Sequence, residues 1–250
     1  MLKQDEIIIA NLYSLYLCTA ESSKDVEIFR YDGFKIIKAE SSVWPSMVYD
    51  IADGAFSDEF VKTIKAAMAE RDAGPVLFES HNENFDLYKQ NGILPADRWV
   101  GMIKDEIENV NFAGKRDGIV IRNVKNEEIA DWTDIVSTVL FGKKPLSHTL
   151  FSCLPADHNE IIGLWVDEIM VGTSMIHYDI YGNAGIYMVC TLEPHRRKGY
   201  GRLLVEYCFR CILKKGLNTC VLQATQKGVV LYTSMGFHAF SNYTLLMKIR

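Results

Sequence analysis

The chain has 250 residues and a mass of 28.4 kDa, enough for one large or two small domains. With 48% hydrophobic and 24% charged residues, it is neither intrinsically disordered nor a disulfide-stapled miniprotein. A net charge of −5 argues against a general nucleic-acid binder, and no run approaches the ~18 apolar residues of a membrane span. The first residues lack the pattern of a signal peptide, so we expect a cytoplasmic protein with no nucleic-acid or membrane partner.

The first half alternates helical and strand patterns, which favours an α/β fold. Its Asp32-Gly33 pair lies between two β-rich runs and predicts a hairpin. The predicted elements are a helix near residues 7–15, a hairpin over 26–38, a strand over 44–51, a helix over 58–71, a strand over 75–79, a helix over 83–90 and a strand over 98–103.

The segment 109–117 lacks periodicity and predicts a linker between a first domain, 1–114, and a second, 115–250. An irregular connection is expected over 141–160. The other elements predicted for the second half are a strand over 118–124, a helix over 126–140, a hairpin over 161–166 and 169–176, a turn over 178–183, a strand over 184–191, a helix over 199–215, a strand over 219–224, a helix over 227–235 and a strand over 243–249.

Six cysteines without regular spacing indicate a reducing compartment. Cys208 and Cys211 have a metal-like spacing, but they lie in a helical pattern with no second pair nearby. We therefore predict no metal site.

The segment 187–204 carries the clearest chemical signal, because a strand passes through a basic, glycine-containing turn into a helix. Gly199 and Gly201 allow backbone N–H groups to approach an anion closely, and the helix N-terminus adds partial positive charge. The side chains at 196–198 add full positive charges. This pattern is typical of a phosphate-binding loop, but Gly-x-Gly before a helix is a weak signal, and taken alone it favours a plain strand-to-helix turn.

A second motif about thirty residues later, Leu231-Tyr-Thr-Ser-Met-Gly-Phe, favours the phosphate-binding loop over the plain turn. Together with Arg196-Arg-Lys-Gly-Tyr-Gly, it resembles the GNAT superfamily of N-acetyltransferases over about residues 118–250. The resemblance implies a mixed, mostly antiparallel central sheet flanked by helices. It also implies transfer of an acetyl group from acetyl-CoA (CoA) to a primary amine of a small molecule or peptide, without a metal.

The resemblance also implies where the cofactor binds. The pyrophosphate would meet the loop backbone, with help from the first turn of the helix, and the pantetheine arm would bond to the edge of the preceding strand. The implied cofactor-binding residues are Val189, Cys190, Thr191, Arg196, Arg197, Lys198, Gly199, Tyr200, Gly201 and Arg202. The sequence departs from the family at Glu193-Pro194, where proline more often comes first.

Tyr232 matches the family's general acid. A phenol with a pKa near 10 stays protonated at neutral pH and can protonate or hydrogen-bond a thiolate whose own pKa is near 8.5. The base stays unassigned, with candidates at Glu193, Asp179, His177 and Tyr187. A covalent route through Cys190 is possible in principle, but a buried thiol is the favoured interpretation.

The first half repeats the element order of the second and resembles a smaller, degenerate GNAT-like domain, with Tyr88 opposite Tyr232. An unrelated α/β cap is the alternative. At the place of the cofactor loop, residues 49–58 offer acids and one glycine, so we predict no acetyl-CoA binding there. Residues 1–116 have 13 basic and 20 acidic residues, a net −7, which suggests a preference for a cationic amine acceptor.

Two other functions compete with the enzyme. A regulatory module could sense acyl-CoA without turning it over, and loss of rate on mutating Tyr232 would separate the two. A general nucleotide-binding domain is disfavoured because no Gly-x-x-x-x-Gly-Lys-Ser/Thr motif is present. The sequence leaves the acceptor and the oligomeric state open.

Overall fold

The computed structural model describes residues 3–52, 57–79, 85–107 and 118–248. The α-helices are α1 (Gln4–Ser22), α2 (Asp58–Glu70), α3 (Asp86–Gln90), α4 (Ile129–Leu140), α5 (His148–Ser152), α6 (Tyr200–Lys214) and α7 (Val229–Thr233). The strands are β1 (Val26–Tyr31), β2 (Phe34–Ala39), β3 (Ser46–Tyr49), β4 (Val76–Glu79), β5 (Ile93–Lys104), β6 (Ile119–Asn123), β7 (Asn159–Val166), β8 (Ile169–Tyr178), β9 (Ala184–Thr191), β10 (Cys220–Thr225) and β11 (His238–Lys248).

The strands form one sheet in the order β1-β2-β3-β4-β11-β5-β10-β9-β8-β7-β6. Among the described strands only β3 with β4 and β9 with β10 pair in parallel, so the predicted mixed, mostly antiparallel sheet is confirmed. Helices α1, α4 and α5 cover one face of the sheet with a hydrophobic cluster that spans both halves of the chain. The other face is covered by α6 and α7 in the second half and by α2 and α3 in the first.

The two halves exchange strands at the centre of the sheet. Strand β11 comes from the second half but lies between β4 and β5 of the first, and β5 in turn pairs with β10. Each half therefore completes the sheet of the other. The predicted linker and the domain boundary at 114 lie outside the described residues, and the division into two domains stays a prediction.

Several predicted bounds differ from the structure. Strand β5 begins at Ile93 rather than at 98, and its Pro95 is tolerated because β10 pairs with β5 only from Trp99 onward. Strand β11 begins at His238 rather than at 243. The connection 141–160 is not wholly irregular, since it contains α5. Ser147 is the N-cap of this helix, and its side chain accepts a hydrogen bond from the N–H of Leu150.

Candidate functional site

The parallel strands β9 and β10 separate after their first residues, and the gap between them is called the cleft below. Their ladder contains only Ala184 opposite Cys220 and Gly185 opposite Val221, at the start of both strands. Beyond this point β9 continues to Thr191 without a ladder partner on β10. The free edge of β9 includes Val189, Cys190 and Thr191, the strand residues that the sequence assigns to the cofactor.

The predicted phosphate loop follows β9 and ends at the N-terminus of α6. The Glu193–His195 segment forms one turn of 3-10 helix with Pro194 in its first turn, so the departure in sequence is accommodated by a short helix. Gly199 is the N-cap of α6 in a left-handed conformation, with φ 85°. Arg197 is also left-handed, with φ 64°.

Two features of this loop suit an anion. A Cβ atom built at Gly199 would meet none of the described atoms beyond its chain neighbours within 4 Å, so the loop is open on the side of its N-cap glycine. Helix α6 is 15 residues long, and the N–H groups of its first turn lie next to this loop with the positive end of the helix dipole. The side chains of Arg196, Arg197 and Lys198 lie exposed beside it, Arg196 with its Nε 3.1 Å from the carbonyl of Thr191. A pyrophosphate therefore fits the loop chemically.

Three other predicted cofactor residues face the protein. Tyr200 is buried, and a Cβ at Gly201 would lie 3.3 Å from Leu231, which keeps α6 close to α7. The Arg202 side chain donates to Ser234 Oγ at 2.7 Å, just beyond α7. The structure thus places Arg202 as a link between α6 and the end of α7, and its predicted part in phosphate binding stays a prediction.

Tyr232 lies on α7 and is buried against β9 and β10. Burial raises its pKa above the usual value of 10, and its hydroxyl interacts electrostatically with the thiols of Cys190 and Cys220 on those two strands. Its ring packs edge-to-face on Phe237, 5.6 Å between centroids, across the turn made by Gly236 with φ 85°. The phenol therefore stays protonated at neutral pH and is a hydrogen-bond donor beside the cleft.

The Cys190 thiol is a poor nucleophile in this structure. Burial raises its pKa to about 12, which outweighs the opposite effect of a hydrogen bond with Thr173. Because the thiolate is the nucleophilic form, this favours a structural role over the covalent route.

Two of the four base candidates belong to a buried polar cluster beneath α1. His177 Nδ1 lies 3.0 Å from Asn159 Oδ1, and Nε2 lies 2.9 Å from Ser14 Oγ, so both ring nitrogens are bonded. Asp179 accepts hydrogen bonds from the Asn11 side chain at 2.8 Å and from two backbone N–H groups. These bonds satisfy the groups structurally and favour neither as the base.

The third candidate, Tyr187, points to the same cluster, since its hydroxyl donates to Asn11 Oδ1 at 2.7 Å. The fourth, Glu193, is exposed next to the loop. The sequence did not predict the partners of Asn11. The sequence signal for such partners is a polar residue inside the apolar stripe of α1, where Asn11 is fully buried.

The first half repeats the splayed pair. Strands β3 and β4 are parallel and share a single ladder pair, Val48 with Val76. Tyr88 lies on α3 between β4 and β5, as Tyr232 lies on α7 between β10 and β11. It is fully buried, packs on Phe78 and has a hydroxyl with no hydrogen-bond partner among the described residues. Residues 53–56 of the counterpart loop lie outside the described residues, so the absence of acetyl-CoA binding there stays a prediction.

No group of three or more His, Cys, Asp or Glu residues in the described ranges is arranged to hold a metal ion. Within the same ranges, none of the helices combines the length and the hydropathy needed to cross a bilayer.

Comparison with known proteins points to one family. Residues 157–239 match the family model described as an acetyltransferase (GNAT) domain. No curated protein sequence matches the chain significantly.

Solved structures share the fold along nearly the whole chain. A GCN5-related N-acetyltransferase from Kribbella flavida is 16% identical and covers 98% of this chain and 95% of its own, with a TM-score of 0.71. A GCN5-related N-acetyltransferase from Sphaerobacter thermophilus is 16% identical over 86% of this chain and 80% of its own, with a TM-score of 0.65. A tandem GNAT protein from the clavulanic acid biosynthesis pathway is 10% identical over 92% and 86%, with a TM-score of 0.61.

Proposed function

We propose that this protein transfers an acetyl group from acetyl-CoA to a primary amine, because residues 157–239 match the family model of the acetyltransferase (GNAT) domain and the chain shares its fold with GCN5-related N-acetyltransferases. The acceptor would be a small molecule or a peptide, and it would attack the thioester directly in a ternary complex. The observation on which the proposal rests is the juxtaposition of an open, left-handed loop at Gly199, a free strand edge on β9 and a protonated phenol at Tyr232.

Binding would use backbone groups more than side chains. The N–H groups of the loop and of the first turn of α6 would hold the pyrophosphate, and Arg196, Arg197 and Lys198 would add positive charge. The free edge of β9 would bond to the pantetheine amides as an added strand does. The left-handed conformation of Gly199 supports this arrangement, because a side chain there would be strained and would fill the space for the anion.

In the reaction the amine nitrogen would form a bond to the thioester carbon, and the carbon–sulfur bond would break. The electron pair of that bond goes to sulfur, and Tyr232 would donate its phenolic proton to the departing thiolate and then regain a proton from solvent. The amine would lose its extra proton to water or to a base that we leave unassigned, since His177 and Asp179 are bonded within the cluster under α1. The N-acetylated product and CoA would then leave the open cleft.

The first test is calorimetric titration of the protein with acetyl-CoA and with CoA, followed by a thiol-release assay over a panel of amines that includes polyamines, aminoglycosides, amino acids and peptides. We expect binding to both ligands and thiol release with at least one amine. Failure to bind either ligand would refute the proposed function. Binding of acetyl-CoA without turnover of any amine would favour the regulatory module that senses acyl-CoA.

The role of Tyr232 is tested by Tyr232→Phe. We expect kcat to fall by about 10²–10⁴-fold, with the dissociation constant of acetyl-CoA within about twofold of the wild type. Tyr88→Phe is the matched control, because it removes the corresponding buried hydroxyl from the first half and should leave kcat unchanged. An unchanged kcat in Tyr232→Phe would exclude the phenol as the general acid.

A further inference from the structure

Strand β9 is bulged beside the cleft. Its register with β8 pairs Cys190 with Thr173 and Tyr187 with Met175, so Met188 and Val189 together face the single residue Ser174. Met188 has φ 51°, a left-handed conformation that is uncommon for a residue other than glycine. A bulge of this kind changes the direction of the strand and of its backbone groups.

One side-chain hydrogen bond holds the bulge from the side of β8. The Thr173 hydroxyl donates to the carbonyl oxygen of Met188 at 2.9 Å. Thr173 is fully buried, so water does not compete for this bond. A left-handed conformation is unfavourable for Met188, and the bond helps to offset that cost.

The direction of the next N–H group follows from the planarity of the peptide. In a trans peptide the carbonyl oxygen and the N–H point in opposite directions. Because the Met188 carbonyl points to Thr173 on β8, the N–H of Val189 points away from β8, toward the side where β10 has diverged. The ladder between β9 and β10 ends at Gly185, so β10 offers Val189 no ladder partner.

We propose that Thr173 is a positioning residue for the acyl-CoA: its hydroxyl fixes the peptide between Met188 and Val189 and thereby aims the Val189 N–H at the bound ligand. This inference rests on the proposed function and adds to it a residue on β8, outside the strand and loop that contact the ligand. Thr173 itself is fully buried and would act through the strand backbone.

The experiment compares acetyl-CoA binding by the wild type, Thr173→Val and Thr173→Ser. Valine keeps the shape of the side chain but cannot donate, so we expect the dissociation constant to rise by about three- to tenfold, the equivalent of one net hydrogen bond. Serine keeps the hydroxyl and should restore binding to within about twofold of the wild type. Thr19→Val is the matched control, since Thr19 is also fully buried and donates to a backbone carbonyl, that of Leu15 within α1.

Each result has a definite meaning. Wild-type affinity in Thr173→Val, equal weakening in the valine and serine variants, or equal weakening in Thr19→Val would overturn the positioning role. If the wild type itself binds no acetyl-CoA, the proposed function fails and the inference falls with it, whereas failure of the Thr173 variants alone leaves the enzyme in place.

A second measurement needs no variant. Hydrogen exchange of the Val189 amide should be fast without ligand and slow at saturating CoA. Slow exchange in the ligand-free protein would show that this N–H is already bonded within the chain and would overturn the inference.

Discussion

Lowering the pH should weaken the contact between α1 and the sheet through His177. Burial lowers the pKa of this imidazole from 6.5 to about 4, against the smaller opposite effect of Asp179. Between these two pH values the unfolded chain binds one more proton at this position than the folded chain does, so stability is complete above about pH 6.5 and declines as the pH falls. The groups that face the ring are Ser14 on α1, Asn159 on β7, Asp179 and His158.

The size of the effect follows from these two values. Each pH unit across the window contributes at most about 1.4 kcal/mol, so the specific loss between pH 7.5 and pH 5.0 is about 2 kcal/mol. Carboxylates elsewhere also titrate as the pH falls. A variant without a titrating ring therefore isolates the contribution of His177 to the loss of stability. His177→Gln is suited to this because its side-chain oxygen can still accept from Ser14.

The assay is urea denaturation followed by tryptophan fluorescence at both pH values. The free energy of unfolding of the wild type should drop by about 2 kcal/mol more than that of His177→Gln over the same interval. An equal drop in both proteins would show that His177 is not held neutral in the folded state. A titration of the His177 ring resonance with a midpoint near 6.5 would refute the reasoning directly.

Two further predictions concern the loop and α6. Gly199→Val should weaken CoA binding by about tenfold or more, because valine strains a left-handed residue and occupies the space proposed for the anion. Gly216→Val is the control, since Gly216 has a similar φ of 76° and open surroundings at the other end of α6; it should lower stability without weakening CoA binding. Equal weakening of CoA binding in both variants, measured by calorimetry, would contradict the loop assignment. Arg202→Ala and Ser234→Ala each remove the same 2.7 Å bond between α6 and the end of α7, so turnover should fall equally in both, by roughly twofold, and no further in the double variant. A loss of CoA affinity confined to Arg202→Ala would instead favour its sequence-predicted part in phosphate binding.

The site residues that the sequence could indicate are those with local patterns. Gly199 and the basic residues before it form a continuous motif, and the short helix with Tyr232 and Gly236 forms another. Left-handed glycines and helix starts depend on neighbours in the chain, so their signals are local. The structure places both motifs beside the same cleft.

Other parts of the site depend on partners that are distant in sequence. Asn11 is visible as a polar residue in an apolar stripe, but it bonds Asp179 and Tyr187, which lie 168 and 176 positions away. Thr173 looks like any β-branched residue of a strand until the register of β8 and β9 is known. The exchange of β5 and β11 is hidden for the same reason, because strand patterns show which face is buried and not which strand is adjacent.

The exchange of β5 and β11 also determines when the protein can finish folding. Strands β4 and β5 leave the ribosome more than a hundred residues before β11, and at about 5–20 residues per second they wait roughly ten seconds for it. During that interval the edges that β11 later covers have unpaired backbone groups, which are sites of intermolecular pairing. The central strand thus arrives late, and the nascent chain needs either protection of those edges or synthesis fast enough to close the sheet before two nascent chains meet.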